Sequence, residues 1–164
     1  MSRREHSAYD DDVFAWSQQQ AAVLRDLART RRDLPNELDL EHVAEEIEDL
    51  GIAQLRAVEK LLRRLLEHAI KLASSPSSDA AAAGWRQEVR TFQGDALTGY
   101  TAAMRPRIDL GRIWQLAVRN ATVSLADHGK MPATLPAACP FELDELLTEQ
   151  FDPDRIAASP LAAG

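Results

Sequence analysis

The chain has 164 residues, 45% hydrophobic and 27% charged, the balance of a soluble globular protein large enough for a real core. Its net charge of -7 argues against a general nucleic-acid surface, because phosphate binding needs clustered Lys and Arg. The one cysteine, Cys139, excludes an intramolecular disulfide or a thiolate metal cluster within one chain, and beside Pro140 it reads as a packing residue.

Residues 1–8 read as a disordered lead-in, too polar for a signal peptide. No apolar stretch approaches the ~20 residues of a membrane span, so no membrane partner is expected and the cytoplasm is the expected location. Asp10, Asp11 and Asp12 then open a first helix, with acidic groups at its positive end. Its apolar positions are Val13, Trp16, Leu24, Leu27 and Ala28, with Ser17 and Gln20 on the same stripe. Asp33-Leu34-Pro35-Asn36 reads as a connection, and Asp39 as the N-cap of a second helix.

The stripe Leu40, Val43/Ala44, Ile47, Leu50/Gly51, Gln54/Leu55, Val58, Leu61/Leu62, Leu65, Ala69 and Leu72 predicts one amphipathic helix of about 50 Å. Gly51 interrupts it at a cost of about 1 kcal/mol, but the stripe keeps its phase, so one continuous helix is expected. After the break at Ser74-Ser75-Pro76-Ser77-Ser78, Asp79 caps a third helix with Trp85, Val89, Phe92, Ala96, Tyr100 and Ala103 on one face, ended or turned by Arg105-Pro106. A fourth carries Leu110, Trp114, Ala117, Ala121 and Leu125 and stops at Gly129. Pro140 opens a short closing helix bearing Phe141, Leu146, Leu147 and Phe151. The prediction is all-α: an up-down four-helix bundle with one very long second helix and a short C-terminal helix packed on it. Residues 1–153 form a single domain and residues 154–164 a mobile tail. Trp16, Ile47, Val58, Leu65, Trp85, Val89, Phe92, Trp114 and Phe141 are expected to be mostly buried.

Tyr9-Asp10-Asp11-Asp12-Val13-Phe14-Ala15-Trp16, with Gln20 and Leu24-Arg25, resembles the opening of domain-of-unknown-function family 29. The likeness continues through Leu38-Asp39, the run Ala44–Gly51, Leu65-Leu66-Glu67-His68 with Lys71, and Trp85-Arg86. It closes with Cys139-Pro140-Phe141, Leu146-Leu147 and Phe151-Asp152-Pro153. The chain departs from the family pattern at Thr91-Phe92-Gln93 and at Met104 to Arg107. The resemblance implies a bacterial origin and an all-helical fold, and it supplies no activity.

Candidate chemistry is thin. Glu41, Glu45, Glu46, Glu48 and Asp49 precede Arg56, Lys60, Arg63, Arg64 and Lys71 along the long helix, an order that complements the helix dipole without a ligand. Glu46, flanking the stripe, is the carboxylate placed to reach a crevice. A pair between Arg25 and Glu45 or Glu46 is the ordinary expectation at that level. His68 lies on the edge of the stripe, and antiparallel pairing of Ala73 with Ala80 sets Trp85 level with it. Glu46 and His68 are about 33 Å apart on a continuous helix and cannot share a ligand.

The candidate binding residues are therefore Glu46, His68 and Trp85. No catalytic residue is assigned and no metal set is favoured, the alternative being His68, Asp127 and His128 at one end of the bundle. There is no Glu-x-x-His repeat for a di-metal carboxylate site, no Gly-x-Ser-x-Gly elbow and no glycine-rich phosphate loop, so no cofactor is expected. Two readings follow. The first is a noncatalytic helical protein-interaction module of a bacterial cytoplasmic protein, binding a protein partner or a second copy as a homodimer. The second is a small metal-dependent enzyme with a His/carboxylate site at one bundle end.

Overall fold

The computed structural model describes residues 8–76, 78–148 and 151–158, and among these it is all helical, with no strand. The elements are α1 (Ala8–Asp11), α2 (Val13–Thr30), α3 (Leu40–Ala73), α4 (Ala82–Gly99), a 3-10 turn over Ala102–Arg107, α5 (Leu110–Asp127), α6 (Leu143–Leu146) and α7 (Arg155–Ala158). The four long helices expected from periodicity are all present, and α3 runs unbroken through Gly51 for 34 residues. None is long and apolar enough to cross a membrane. The chain forms two compact units. One comprises the residues up to Ala57 with Tyr100–Ile108; the other comprises Val58–Gly99 and the residues from Asp109 on.

In the first unit the sequence caps its own helices. The Asp12 carboxylate accepts from Ala15 N at 2.8 Å to start α2, and Asp39 accepts from His42 N at 3.2 Å to start α3. The buried residues of α2 are Phe14, Ser17 and Ala21, one position round from the expected Val13/Trp16 line. Small side chains explain the rotation. A Cβ on Gly51 would overlap Ser17 Oγ and lie 3.4 Å from Phe14 Cα, so α2 and α3 approach closely at a point where, with Ser17 in place, a glycine is needed. Ser17, fully enclosed, donates its hydroxyl to the Phe14 carbonyl at 2.8 Å instead of meeting water. Trp16 is too large for that contact. It lies half-buried at the side with Tyr9 edge-on at 4.9 Å. The 3-10 turn packs on α2 and encloses Met104.

In the second unit α4 runs antiparallel to the later part of α3. A Cβ on Gly99 would lie 3.2 Å from Val58, Arg64 lies over Phe92, and His68 reaches Glu88. Leu62, Leu65, Leu66, Ala69 and Ile70 are all fully enclosed. Helix α5 presents Ile113, Trp114, Ala117, Ala121 and Leu125 to the interior. It ends as expected at Gly129, whose φ of 68° lets Lys130 N turn back to the Leu125 carbonyl at 2.9 Å.

Corrections concern the ends of elements. Helix α4 stops at Gly99, before Tyr100 and Ala103, and the chain turns through the 3-10 segment. Pro140 does not open a helix; α6 starts only at Leu143, with Phe141 buried ahead of it. From Asp154, expected to trail away, the chain forms α7 and buries Ile156, while residues 159–164 lie outside the described residues. Of the lead-in, Ala8 already belongs to α1, and residues 1–7 lie outside the described residues. Among the nine residues expected inside, Val58, Leu65, Val89, Trp114 and Phe141 are buried; Trp16, Ile47, Trp85 and Phe92 are half-buried.

Candidate functional site

The acidic run lies in the first unit, on the opening turns of α3. Arg25 of α2 binds Glu48 at 2.7 Å and Glu41 at 3.3 Å. The expected level was right and the partners were not. Glu41 and Glu48 are seven residues apart and so share the helix side that faces α2, whereas Glu45 and Glu46 point elsewhere. These bonds raise the Arg25 guanidinium further above its ordinary value, the Glu48 hydrogen bond contributing most. Glu45, Glu46 and Asp49 are exposed and make no ion pair among the described residues.

Beside them runs an apolar seam that the fold leaves open. Val43 is 41% exposed and Leu50 44% exposed, with Ile47 half-buried between them. Gln54 and Ala57 extend the same line, so the steps are four, three, four and three residues. The doublets of the sequence pattern thus split. Ala44, Gly51 and Leu55 are buried, and their neighbours Val43 and Leu50 are not. On α2, Val23 is also exposed.

His68 belongs to the second unit. Its Nε2 lies 3.2 Å from Glu88, its ring stacks on Phe92 at 5.3 Å and 12°, and its Nδ1 is buried with no hydrogen-bond partner. Burial holds its pKa below the ordinary 6.5, against the opposing charge of Glu88. A neutral imidazole wedged between an aromatic face and one carboxylate is a packed histidine; Lys71, Glu67 and Arg64 also act on it, and among the described residues no cluster of metal-ligating groups includes it. Trp85 is not level with it, because the helices pair about three residues away from the expected register, bringing Glu88 and Phe92 to His68. Trp85 instead lies under Lys130 Nζ at 5.1 Å, and Lys130 is paired with Asp79.

The alternative metal set is not assembled. His128 Nδ1 lies 2.7 Å from the Ser124 carbonyl, Asp127 is exposed, and among the described residues no three His, Cys, Asp or Glu side chains converge on one point. Burial pushes the Cys139 thiol up, the reverse of an activated nucleophile.

A cavity of about 370 Å³ lies between α4 and the segment after α6, lined by Arg86, Arg90, Gln93 and Asp152 among others. Its polar groups hold the chain together. Arg86 pairs with Asp154 at 2.9 Å, and the buried Gln93 amide donates to the carbonyls of Leu146, at 3.1 Å, and Thr148. Gln93 was missed in the sequence. The signal was there, since it sits on the Val89–Ala96 face where a polar residue must find a partner.

The geometry can be set beside known proteins. The structure resembles that of an alpha-helical protein of unknown function from Rhodospirillum rubrum, with 43% identity, a TM-score of 0.83, and coverage of 94% of this chain and 98% of that one. A comparison with curated proteins gives no match. The model of the family described as domain of unknown function DUF29 matches residues 8–152, and the chain belongs to that family.

Proposed function

We propose that the chain is a noncatalytic helical interaction module of the bacterial cytoplasm, and that the open face of α3 is where a protein partner binds. The observation that carries this reading is the Val43–Ile47–Leu50 seam. Leaving branched apolar side chains at heptad spacing in water forgoes burial worth about 25 cal/mol for each Å². The fold gains nothing from keeping those positions apolar, whereas a helix laid along them would enclose them. The candidates for chemistry weigh on the same side: Glu46 lies beside the seam, and His68 and Trp85 are taken up by packing.

Site-specific photo-crosslinking in living cells tests the proposal. A benzophenone side chain replacing Val43 or Leu50 should give discrete protein adducts, and one replacing the exposed Arg90 of the second unit should not. Equal labelling from all three positions, or none from the seam, would contradict it.

A further inference from the structure

Resting on the reading that this face binds a protein, we propose that its occupant is a second copy of the chain, its α3 laid antiparallel along the first. The outermost line of α3 runs Val43, Glu46, Leu50, Ala53, Ala57 and Lys60, and all six are exposed. Its steps alternate between three and four residues, the repeat with which one helix lies along another, and it extends about 26 Å.

The order of residues on this line is self-complementary. Centring a reversed copy on Ala53 sets Glu46 level with the other copy's Lys60, and Lys60 level with its Glu46. Leu50 comes within one residue of the other copy's Ala57, a large side chain against a small one. Ala53 lies level with its own counterpart at the two-fold axis, where small side chains let the helices approach. One row further out, Asp49 and Arg56 point away from the seam, and in this register each also lies within one residue of its opposite charge. Glu48 faces α2, and Glu59, three turns on, shares its side, so neither enters the contact. A parallel copy would set Glu46 against Glu46 and Lys60 against Lys60, and like charges facing each other oppose association.

Within one copy these charges have no partner. Glu46, Asp49, Arg56 and Lys60 are exposed, and none makes an ion pair among the described residues. Glu45 with Asp49, and Arg56 with Lys60, are like charges four residues apart, a spacing that disfavours the helix. The helix dipole does not account for the order, because its effect fades within the first and last turns and all of these lie further inside a helix running from Leu40 to Ala73. A partner helix of one sign, acidic or basic, would satisfy one end of the line and repel the other. A reversed copy satisfies both.

Sedimentation of the full chain over a range of concentrations tests the pairing. A contact of one helix pair is small, so a dimer with a dissociation constant on the order of micromolar is expected. At nanomolar concentration the 18.2 kDa monomer prevails, and its unfolding does not involve the second copy. Leu50→Gln, Glu46→Lys and Lys60→Glu should each weaken the dimer by about tenfold, and Glu46→Lys combined with Lys60→Glu should restore it, since the swapped charges still meet. With Cys139→Ser removing the native thiol, Ala53→Cys should cross-link to its counterpart under mild oxidation, whereas Val43→Cys, about 30 Å from its own counterpart, should not. Circular dichroism confirms that each variant is folded.

Equal cross-linking of Ala53→Cys and Val43→Cys would overturn the antiparallel register. A dimer indifferent to both Leu50→Gln and Glu46→Lys would put the contact elsewhere on the molecule and overturn the inference. So would a chain that stays monomeric into the millimolar range. Photo-adducts from Val43 and Leu50 at a mass other than twice that of the chain would then leave the face standing with another protein on it, and a lack of adducts would remove the face itself.

Discussion

Helix α3 runs one amphipathic pattern through two surroundings. From Val58 on, the apolar side chains Leu62, Leu65, Leu66, Ala69 and Ile70 are wholly enclosed. Before Ala57 the same spacing leaves Val43 and Leu50 more than two-fifths exposed. The second unit offers the helix α4, α5 and a C-terminal segment pinned by Gln93; the first offers α2, α1 and one 3-10 turn. Hydrophobic periodicity therefore reports that a face wants cover and not what covers it. Where the chain supplies too few neighbours, the remaining stripe is free for another molecule.

Truncation should separate the two stretches most sharply. Leu65→Ala, in a fully enclosed site, should cost about 2–5 kcal/mol in urea unfolding, the range for cavity-forming changes in cores. Leu50→Ala should cost no more than about 1 kcal/mol, as expected of a half-exposed position. Comparable losses at both sites would erase the distinction.

Gly51→Ala should come next. Alanine gains about 1 kcal/mol of helix propensity, yet its methyl group would overlap Ser17 Oγ, and overpacking of this kind typically costs about 1–3 kcal/mol. A net loss is expected, eased by adding Ser17→Gly; a gain in stability would show that the first unit is looser than the α2–α3 contact implies.

The two histidines of α3 should respond to pH in opposite directions. His68, held below 6.5 by burial, takes up fewer protons folded than unfolded. Its contribution is complete above 6.5 and is lost as pH falls towards its folded-state value. His42, raised chiefly by its hydrogen bond to Asp39, contributes fully below 6.5 and loses that contribution as pH rises through its folded-state value. His68→Gln should therefore flatten the acid side of the stability profile, and His42→Gln the neutral side. The same sign for both would contradict the assigned surroundings. The smallest effect is expected for Arg25→Ala, which removes a solvent-washed pair with Glu41 and Glu48 and should barely move the urea midpoint.

Much of the fold was legible in residue order. The caps Asp12, Asp39 and Gly129, the unbroken α3 and the inner face of α5 follow from local chemistry that the chain carries with it. The buried face of α2 was partly legible: Ser17 stood on the expected stripe, but a size-weighted pattern points at Trp16 where close packing on Gly51 selects Phe14 and Ala21 beside Ser17. The candidate site was half legible. Glu46 lies beside an apolar stripe that periodicity shows, but the doublets Val43/Ala44 and Leu50/Gly51 cannot be divided into inner and outer members without knowing where α2 lies. Gln93 and Glu88 depend on an inter-helix register that a loop of unpredicted geometry sets, so a slip of about three residues replaced Glu88 and Phe92 with Trp85 beside His68.

The central claim, that the first stretch of α3 keeps an apolar seam the fold does not need, is tested most directly by urea unfolding of the double variant Val43→Gln, Leu50→Gln. Glutamine is a good helix former and adds no charge. The account predicts a folded protein whose stability falls by no more than about 1 kcal/mol in total. A loss above about 3 kcal/mol, the scale of a core truncation, would show that the seam holds the fold together and would contradict the claim.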